Sequence, residues 1–419
     1  MSIHKQSTIG LFGFGVVGEG IYQVLQQTPS LNATIKKVCI KHPEKERNAN
    51  ASLFTTCYGE LLDDPEINLI VELIDDAEEA YKIVTTALKN KKSVVSANKK
   101  LIAEHLAELI SLQEQNAVSF LYEAAVCGSI PIIRNLEEYY DNDLLQSICG
   151  IVNGSTNYIL TKMGEGLSYK EALQKAQQLG FAESNPALDV EGIDATNKLT
   201  ILLAHAYGIL AKPGDFIRNG ITRLHAADAN FASEKNYQIK LTAQAFKLSN
   251  GKVAAFVLPQ FVKQDSLLYN VKNEYNCVII ESKLADKQFL YGKGAGRFPT
   301  SSAVISDVSA VSYDYKYEYK KLNRNEKYAL TNNYFLKVYI GFNDWAEVNK
   351  WDFEQVNEFY STEERQYLTG IIHVDKLRNA SWYRDPSVSI ILLPDGIIEK
   401  ENIVAQSIKK LSLQLAGVN

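Results

Sequence analysis

Residues Thr8–Phe12 form a β-branched and aromatic run that leads straight into Gly13-Phe14-Gly15-Val16-Val17-Gly18, and an amphipathic stretch follows in which Val17, Ile21, Val24 and Leu25 share one helical face. A strand that turns into a helix through Gly-x-Gly-x-x-Gly constrains the fold more than any other feature of the chain. Gly13 permits the tight turn, Gly15 lets the backbone approach a pyrophosphate, and Gly18 lets helix and strand pack closely. The phosphates would sit at the positive end of the helix. The competing reading is a tight turn with no ligand, and the repetition that follows weighs against it. Further short apolar runs at Thr34–Ile40, Leu69–Ile74, Ser93–Ala97 and Val118–Glu123 alternate with helical patterns such as Leu101, Leu106, Leu109 and Ile110. That rhythm gives a parallel sheet with helices on both faces, a Rossmann-like doubly wound α/β domain.

At 419 residues the chain has room for about three domains at roughly 150 residues each. After Glu123 the order changes to α+β. Leu145–Val152 reads as a strand and Ser168–Glu171 as a capping box whose helix stops at Gly180. A long helix is expected from Gly192 to Gly208, then strands at Tyr237–Phe246, Val253–Val262 and Cys277–Ser282. From Asn332 onward, strands at Tyr334–Phe342, Tyr367–Val374 and Ser387–Leu393 with helices near 353–364 and 401–415 suggest a small third α+β domain. The expected division is a nucleotide domain over 1–126, completed by about 294–325, a substrate and dimerisation domain over 127–293, and a C-terminal domain over 330–419.

Charge excludes some functions. With 44 Lys+Arg against 49 Asp+Glu, net −5, bulk electrostatics provide no hold on nucleic acid or an anionic membrane. The N-terminus lacks the apolar core of a signal peptide, and no apolar run approaches about 18 residues. The five cysteines are scattered without a CxxC pair, and the six histidines show no ligand spacing. A cytoplasmic small-molecule enzyme is expected.

The charged residues nearest the glycine loop bear on cofactor choice. A carboxylate at the end of the second strand would bind the ribose 2′-OH of NAD, yet Ile40 is followed by Lys41, His42 and later Arg47. Positive charge favours the 2′-phosphate of NADP, with NAD left open by Glu44 and Glu46. Farther on, Gly180–Lys198 carries Glu183, Asp189, Glu191, Asp194 and Lys198, and Asp194 and Lys198 are one helical turn apart. The bland account is a surface ion pair. The sharper one is a lysine that supplies a proton to a carbonyl oxygen while a carboxylate holds a substrate ammonium.

The block Gly150–Leu160, with Leu179–Glu183 and Asp189–Lys198, closely resembles homoserine dehydrogenase. Val94–Lys99, Tyr122–Pro131, Gly292–Gly296 and Thr300–Val304 agree in order, so that the resemblance spans roughly Thr8 to Val311. It implies reversible NAD(P)-dependent reduction of L-aspartate 4-semialdehyde to L-homoserine, on the route to threonine, methionine and isoleucine, by a homodimer or higher homo-oligomer. Lys198 resembles the proton donor and Lys99 the second active-site lysine, with Asp194 beside them. Glu183 resembles the residue holding the substrate amino group, and Asp189 and Asp194 complete the polar pocket. The cofactor set would be the loop Gly13 to Gly18 with Lys41, Ser96, Lys99, Gly180, Gly294 and Gly296. Glu123, Val126, Gly128 and Ile130 resemble a sodium loop that binds mostly through main-chain carbonyls.

Two departures stand out. Asp75-Asp76 replaces the family's usual two glycines near the cofactor crevice. The C-terminal region, expected to be ACT-like and a candidate site of amino-acid feedback, lacks the family's Asp-x-Pro-Gly-like loop after its first strand. On sequence, a catalytically silent cofactor- or amino-acid-binding regulator, or a dehydrogenase of a related amino acid aldehyde, stays open.

Overall fold

Strands β1 (Ser7–Phe12), β2 (Ala33–Cys39), β3 (Phe54–Thr55), β4 (Leu69–Glu72), β5 (Ser93–Ser96) and β6 (Phe120–Leu121) pair in parallel in the order β3-β2-β1-β4-β5-β6. The computed structural model describes residues 5–142, 144–361 and 365–399. All four residues of β4 are buried, as a strand covered on both faces requires. The order reverses between β1 and β4, which makes the carboxyl ends of these two strands the switch point where a doubly wound sheet holds its ligand. Asp76 caps the Ala77–Lys89 helix by accepting from the Glu78 and Glu79 N–H groups, and Asn98 caps the Lys99–Asn116 helix through Leu101 N–H. The Arg297–Val311 helix returns to this sheet and packs on the Val16–Gln27 helix so closely that a Cβ on Gly20 would lie 2.5 Å from Ser301 Oγ.

The other strands are β7 (Leu145–Ile151), β8 (Ile217–Arg218), β9 (Gln238–Lys247), β10 (Val253–Val262), β11 (Tyr275–Ser282), β12 (Asp286–Lys293), β13 (Phe335–Phe342), β14 (Phe353–Ser361), β15 (Gln366–His373) and β16 (Ser389–Ile398). They form one mixed sheet in the order β12-β11-β7-β9-β10-β16-β13-β15-β14, with β8 beside β10. Its spine is the antiparallel β9–β10 pair, in unbroken register from Gln238↔Val262 to Lys247↔Val253. Contacts divide the described residues into a nucleotide unit, those up to 145 with 197–213 and 290–327, and a second unit made of 146–196, 214–289 and those from 328 to 399. Among the described residues no helix is long and apolar enough to cross a membrane.

The C-terminal strands run β16-β13-β15-β14, all antiparallel, the 4-1-3-2 order of a βαββαβ module, with only the short 3-10 turn Lys350–Asp352 in place of the first helix and Val374–Asn379 as the second. One sequence expectation fails here: the helix near 353–364 is strand β14. Phe353, Val356, Phe359 and Tyr360 are spaced three to four apart and imitate a helical stripe. Register shifts at Phe353/Gln355 and Val356/Glu358 explain the spacing, because each extra residue in an edge strand breaks the period of two. Strand β12 was not foreseen, and the helix expected over 401–415 falls outside the described residues.

A buried ion pair pins the helix Ala226–Glu234 to this part of the sheet. Asp228 is fully buried; its Oδ1 accepts from Tyr339 OH at 3.0 Å and lies 3.6 Å from Arg365 Nε, and its Oδ2 accepts from His225 N–H at 2.8 Å. Burial raises the Asp228 carboxyl, against the pull of the Arg365 charge. Removing one partner strands the other charge in the interior. Asp228→Ala should therefore cost about 3–5 kcal/mol in urea unfolding, and a midpoint unchanged from wild type would contradict it.

Candidate functional site

The carboxyl end of β1 is built for close backbone approach. Gly13 has φ 93° and donates its N–H to Cys39 O at 3.0 Å; a Cβ there would lie 2.9 Å from Leu73 O. A Cβ on Gly18 would collide with the Gly13 carbonyl oxygen, whereas one on Gly15 would meet nothing within 4 Å. Gly15, at φ −85°, is therefore a glycine that the bare protein does not need. Val16 is 59% exposed beside it. Phe14 packs edge-on against Phe54 at 5.1 Å and Tyr22 at 5.8 Å, and Val17 O accepts from Ser301 Oγ.

Past the end of β2, Lys41 is exposed, and Ile40, Lys45, Arg47, Phe54, Thr55 and Thr56 line a groove. Arg47 donates to the carbonyls of Lys45 and His42, both at 2.7 Å, and lies over the Phe54 ring. These bonds hold the Arg47 guanidinium beside the groove past the end of β2.

At the end of β4, Glu72 is fully buried. Its Oε2 accepts from Ser96 Oγ at 2.5 Å and its Oε1 from Ile74 N–H at 2.7 Å. Burial pushes its carboxyl up to about 7, against these two bonds, and the Asp75 charge adds to the rise. Ser96 has no exposed surface, so its hydroxyl is turned to Glu72. The same oxygen accepts from Asn98 N–H at 3.1 Å, and Asn98 Nδ2 donates to Ile74 O at 3.1 Å. Lys99 opens the next helix, partly exposed. Asp75 and Asp76 are exposed, and the capping role of Asp76 accounts for one residue of the Asp75-Asp76 pair. Glu72 was missed; its signal was a lone acid ending the apolar run Leu69-Ile70-Val71.

The loop after β6 is tied to the returning chain. Ser129 N–H and Oγ both donate to Lys293 O, at 3.1 and 3.0 Å, and a Cβ on Gly128 would lie 2.6 Å from Gly294 O. Gly296, at φ 120°, opens the Arg297–Val311 helix. Both Glu123 carboxylate oxygens accept main-chain N–H groups, from Ile133 at 2.8 Å and Arg134 at 3.0 Å, and Glu123 N–H donates to Asp307 at 2.8 Å. Burial, then the charge of Asp307, pushes Glu123 up to about 7. With its side chain so occupied, a cation at this loop would be held by the main-chain carbonyls of Glu123, Val126, Gly128 and Ile130, a donor set that fits a hard ion. No group of three or more His, Cys, Asp or Glu among the described residues could hold a metal.

In the second unit, one side chain gathers two of the expected carboxylates. Asn153 Nδ2 donates to Asp189 Oδ1 at 2.7 Å and to Asp194 Oδ2 at 2.8 Å, while Asn153 Oδ1 caps the Gly154–Gly164 helix through Thr156 N–H. Asn153 stands in the block Gly150–Leu160, but nothing in its spacing marked it as the organiser. Glu183 lies on an exposed loop, where its main-chain carbonyl accepts from Gln177, and among the described residues no bond draws its carboxylate into this cluster. Gly180, at φ 75°, ends the preceding helix in the left-handed conformation that glycine tolerates.

Asp194 and Lys198 lie on the helix Ile193–Tyr207, both buried, at 3% and 7% exposure. Near the far end of that helix His205 is a satisfied core histidine, with Nδ1 2.6 Å from Glu137 Oε1 and Nε2 2.8 Å from Tyr122 OH. Lys321 Nζ holds the His205 carbonyl at 2.7 Å. Two turns of helix separate this anchor from Lys198.

Comparison with known proteins identifies the family. Residues 131–309 match the family model described as homoserine dehydrogenase, and residues 13–123 match that of its NAD binding domain. The homoserine dehydrogenase of Bacillus subtilis is 36% identical over 317 residues, 73% of either chain, and that of Synechocystis is 38% identical over 311 residues, 72% of either chain. The chain belongs to the homoserine dehydrogenase family. A homoserine dehydrogenase from Thiobacillus denitrificans superposes with a TM-score of 0.81 at 29% identity, covering 93% of this chain and 98% of that one. A hyperthermophilic archaeal homoserine dehydrogenase in complex with NADPH is 27% identical, with a TM-score of 0.65 over 75% of this chain and 99% of its own. The enzyme is thus an NAD(P)-dependent oxidoreductase.

Proposed function

We propose that the enzyme interconverts L-homoserine and L-aspartate 4-semialdehyde with Lys198 as the acid and base, and that NADP is its preferred cofactor. The observation that carries this reading is the buried lysine one helical turn beyond Asp194, itself bonded with Asp189 to Asn153. When bound, the nicotinamide cofactor supplies or accepts the hydride at C4. Lys198 gives its ammonium proton to the aldehyde oxygen in reduction and, as the neutral amine, takes it back in oxidation. Lys99 adds positive charge beside the developing alkoxide. Glu183 pairs with the substrate ammonium, and Asp189 and Asp194 orient the polar end.

Gly13 to Gly18 would receive the pyrophosphate. Ser96, Gly180, Gly294 and Gly296 would complete the set of residues that hold the cofactor. Lys41, with the groove at Arg47, would take the 2′-phosphate. The loop Glu123, Val126, Gly128 and Ile130 would hold sodium. The nucleotide domain over 1–126 and 294–325, the substrate domain over 127–293 and an ACT-like region over 330–419 describe the organisation, the last supported by the 4-1-3-2 strand order. A homodimer in the cytoplasm completes the reading.

Initial rates of homoserine oxidation with NADP and NAD in parallel test it. The kcat/KM ratio should favour NADP. Lys41→Ala should raise KM for NADP by roughly tenfold, the weight of one charge-assisted phosphate contact, and leave KM for NAD within about twofold. Equal changes with both cofactors would remove Lys41 from the 2′-phosphate site. Activity on a related amino acid aldehyde without homoserine turnover would overturn the substrate assignment.

A further inference from the structure

Four groups beyond the carboxyl ends of β4 and β5 close a ring of hydrogen bonds. Glu72 Oε2 accepts from Ser96 Oγ, Ser96 Oγ accepts from Asn98 N–H, Asn98 Nδ2 donates to Ile74 O, and Ile74 N–H returns to Glu72 Oε1. Each link is short, from 2.5 to 3.1 Å, and Glu72 and Ser96 have no exposed surface. The ring joins the exits of two neighbouring strands, since Glu72 and Ser96 are register partners on β4 and β5. A serine hydroxyl has one proton, and in the ionised form of Glu72 the carboxylate can only accept, which fixes the direction of that proton and leaves the Ser96 lone pair for Asn98 N–H. Asn98 in turn uses its Oδ1 to cap the helix at Leu101, at 3.0 Å. The first residue of that helix is Lys99.

Resting on the reading of Lys99 as an active-site lysine, we infer that Glu72 and Ser96 are positioning residues that set the Lys99 backbone through Asn98. The arrangement is more than a helix cap. A cap needs only Asn98 and Leu101, whereas here a buried acid, at a desolvation cost, holds the capping residue's own N–H through an intermediate hydroxyl. Loss of the acid frees the Ser96 hydroxyl to rotate, releases Asn98 from its main-chain side and lets Lys99 drift. A displacement of about 1 Å at a reacting group can cost on the order of 100-fold in rate.

The test is a double-mutant cycle read in kcat/KM for homoserine. Glu72→Gln keeps the shape, but Ile74 N–H claims the amide oxygen, so that the amide nitrogen faces Ser96 and the bond between them reverses. In the otherwise unaltered enzyme Glu72→Gln and Ser96→Ala should each lower kcat/KM by roughly tenfold to 100-fold. Ser96→Thr, which restores the hydroxyl, should recover activity to within about threefold of wild type. In a Lys99→Ala background Glu72→Gln should cost no more than about twofold, because the group it places is gone, and Ser96→Ala should cost clearly less than it does in the otherwise unaltered enzyme. Should Glu72→Gln not fold, as its thermal midpoint would show, Ser96→Ala alone carries the same cycle. Equal losses with and without Lys99 would overturn the proposal and leave Glu72 and Ser96 as fold support. Full activity in Lys99→Ala would overturn the reading of Lys99 and the positioning role together.

Discussion

Lys198→Ala should lower kcat for homoserine oxidation by a factor of about 10²–10⁴, the usual weight of a positioned acid or base, while the protein keeps its fold. The expectation of a folded variant rests on where Lys198 lies. It occupies an interior turn of the Ile193–Tyr207 helix, where alanine is the best helix former. The helix is anchored seven residues on by His205, through Glu137, Tyr122 and Lys321. None of those bonds passes through Lys198. Lys198→Arg sharpens the experiment, because a guanidinium keeps the positive charge but does not give up a proton in the working pH range. If the lysine acts by proton transfer, arginine should be nearly as poor as alanine. If positive charge beside the oxygen is what matters, arginine should recover most of the lost rate. Rates within about threefold of wild type in the alanine variant would remove Lys198 from the chemistry altogether.

The features legible in the sequence are those with a local period or a local steric demand. The glycine loop, the alternating strands and helices of the nucleotide domain and the capping box at Ser168 could all be read, because each is fixed by residues a few positions apart. The spacing of Asp194 and Lys198 on one helix was also visible. What could not be read are the partnerships between distant segments. Asn153 joins Asp189 and Asp194 across 36 and 41 residues, and Ser96 meets Glu72 across 24. A buried acid that accepts from a serine on the next strand leaves no period, only an unexpected charge in an apolar run. Strand β14 misled for a related reason: its two register shifts convert an alternation of two into a spacing of three, and its apolar residues beyond the buried Phe353 face solvent on an edge where burial no longer enforces a pattern.

The glycine loop provides the second large effect, in a pair of substitutions that separate folding from binding. Gly18→Ala puts a methyl group against the Gly13 carbonyl oxygen, and that oxygen cannot move aside, because Gly13 is held by its N–H bond to Cys39 and packs against the Leu73 carbonyl. Either the turn opens or the Val16–Gln27 helix shifts on its partner Arg297–Val311, where Gly20 has no space to spare. Overpacking of this kind costs about 1–3 kcal/mol, and the same displacement moves the helix N–H groups meant for the pyrophosphate. Gly18→Ala should thus lower the thermal midpoint and weaken NADPH binding together. Gly15→Ala has no such conflict, since its Cβ would enter open space at an ordinary φ of −85°. It should leave stability within about 0.5 kcal/mol of wild type and still raise the NADPH dissociation constant by on the order of 100-fold, because the space it fills is the one a pyrophosphate needs. Both are measured by quenching of nicotinamide fluorescence beside calorimetry on the same samples. Gly15→Ala that binds NADPH as tightly as wild type would show that the phosphates do not lie over this loop, whatever Gly18→Ala does.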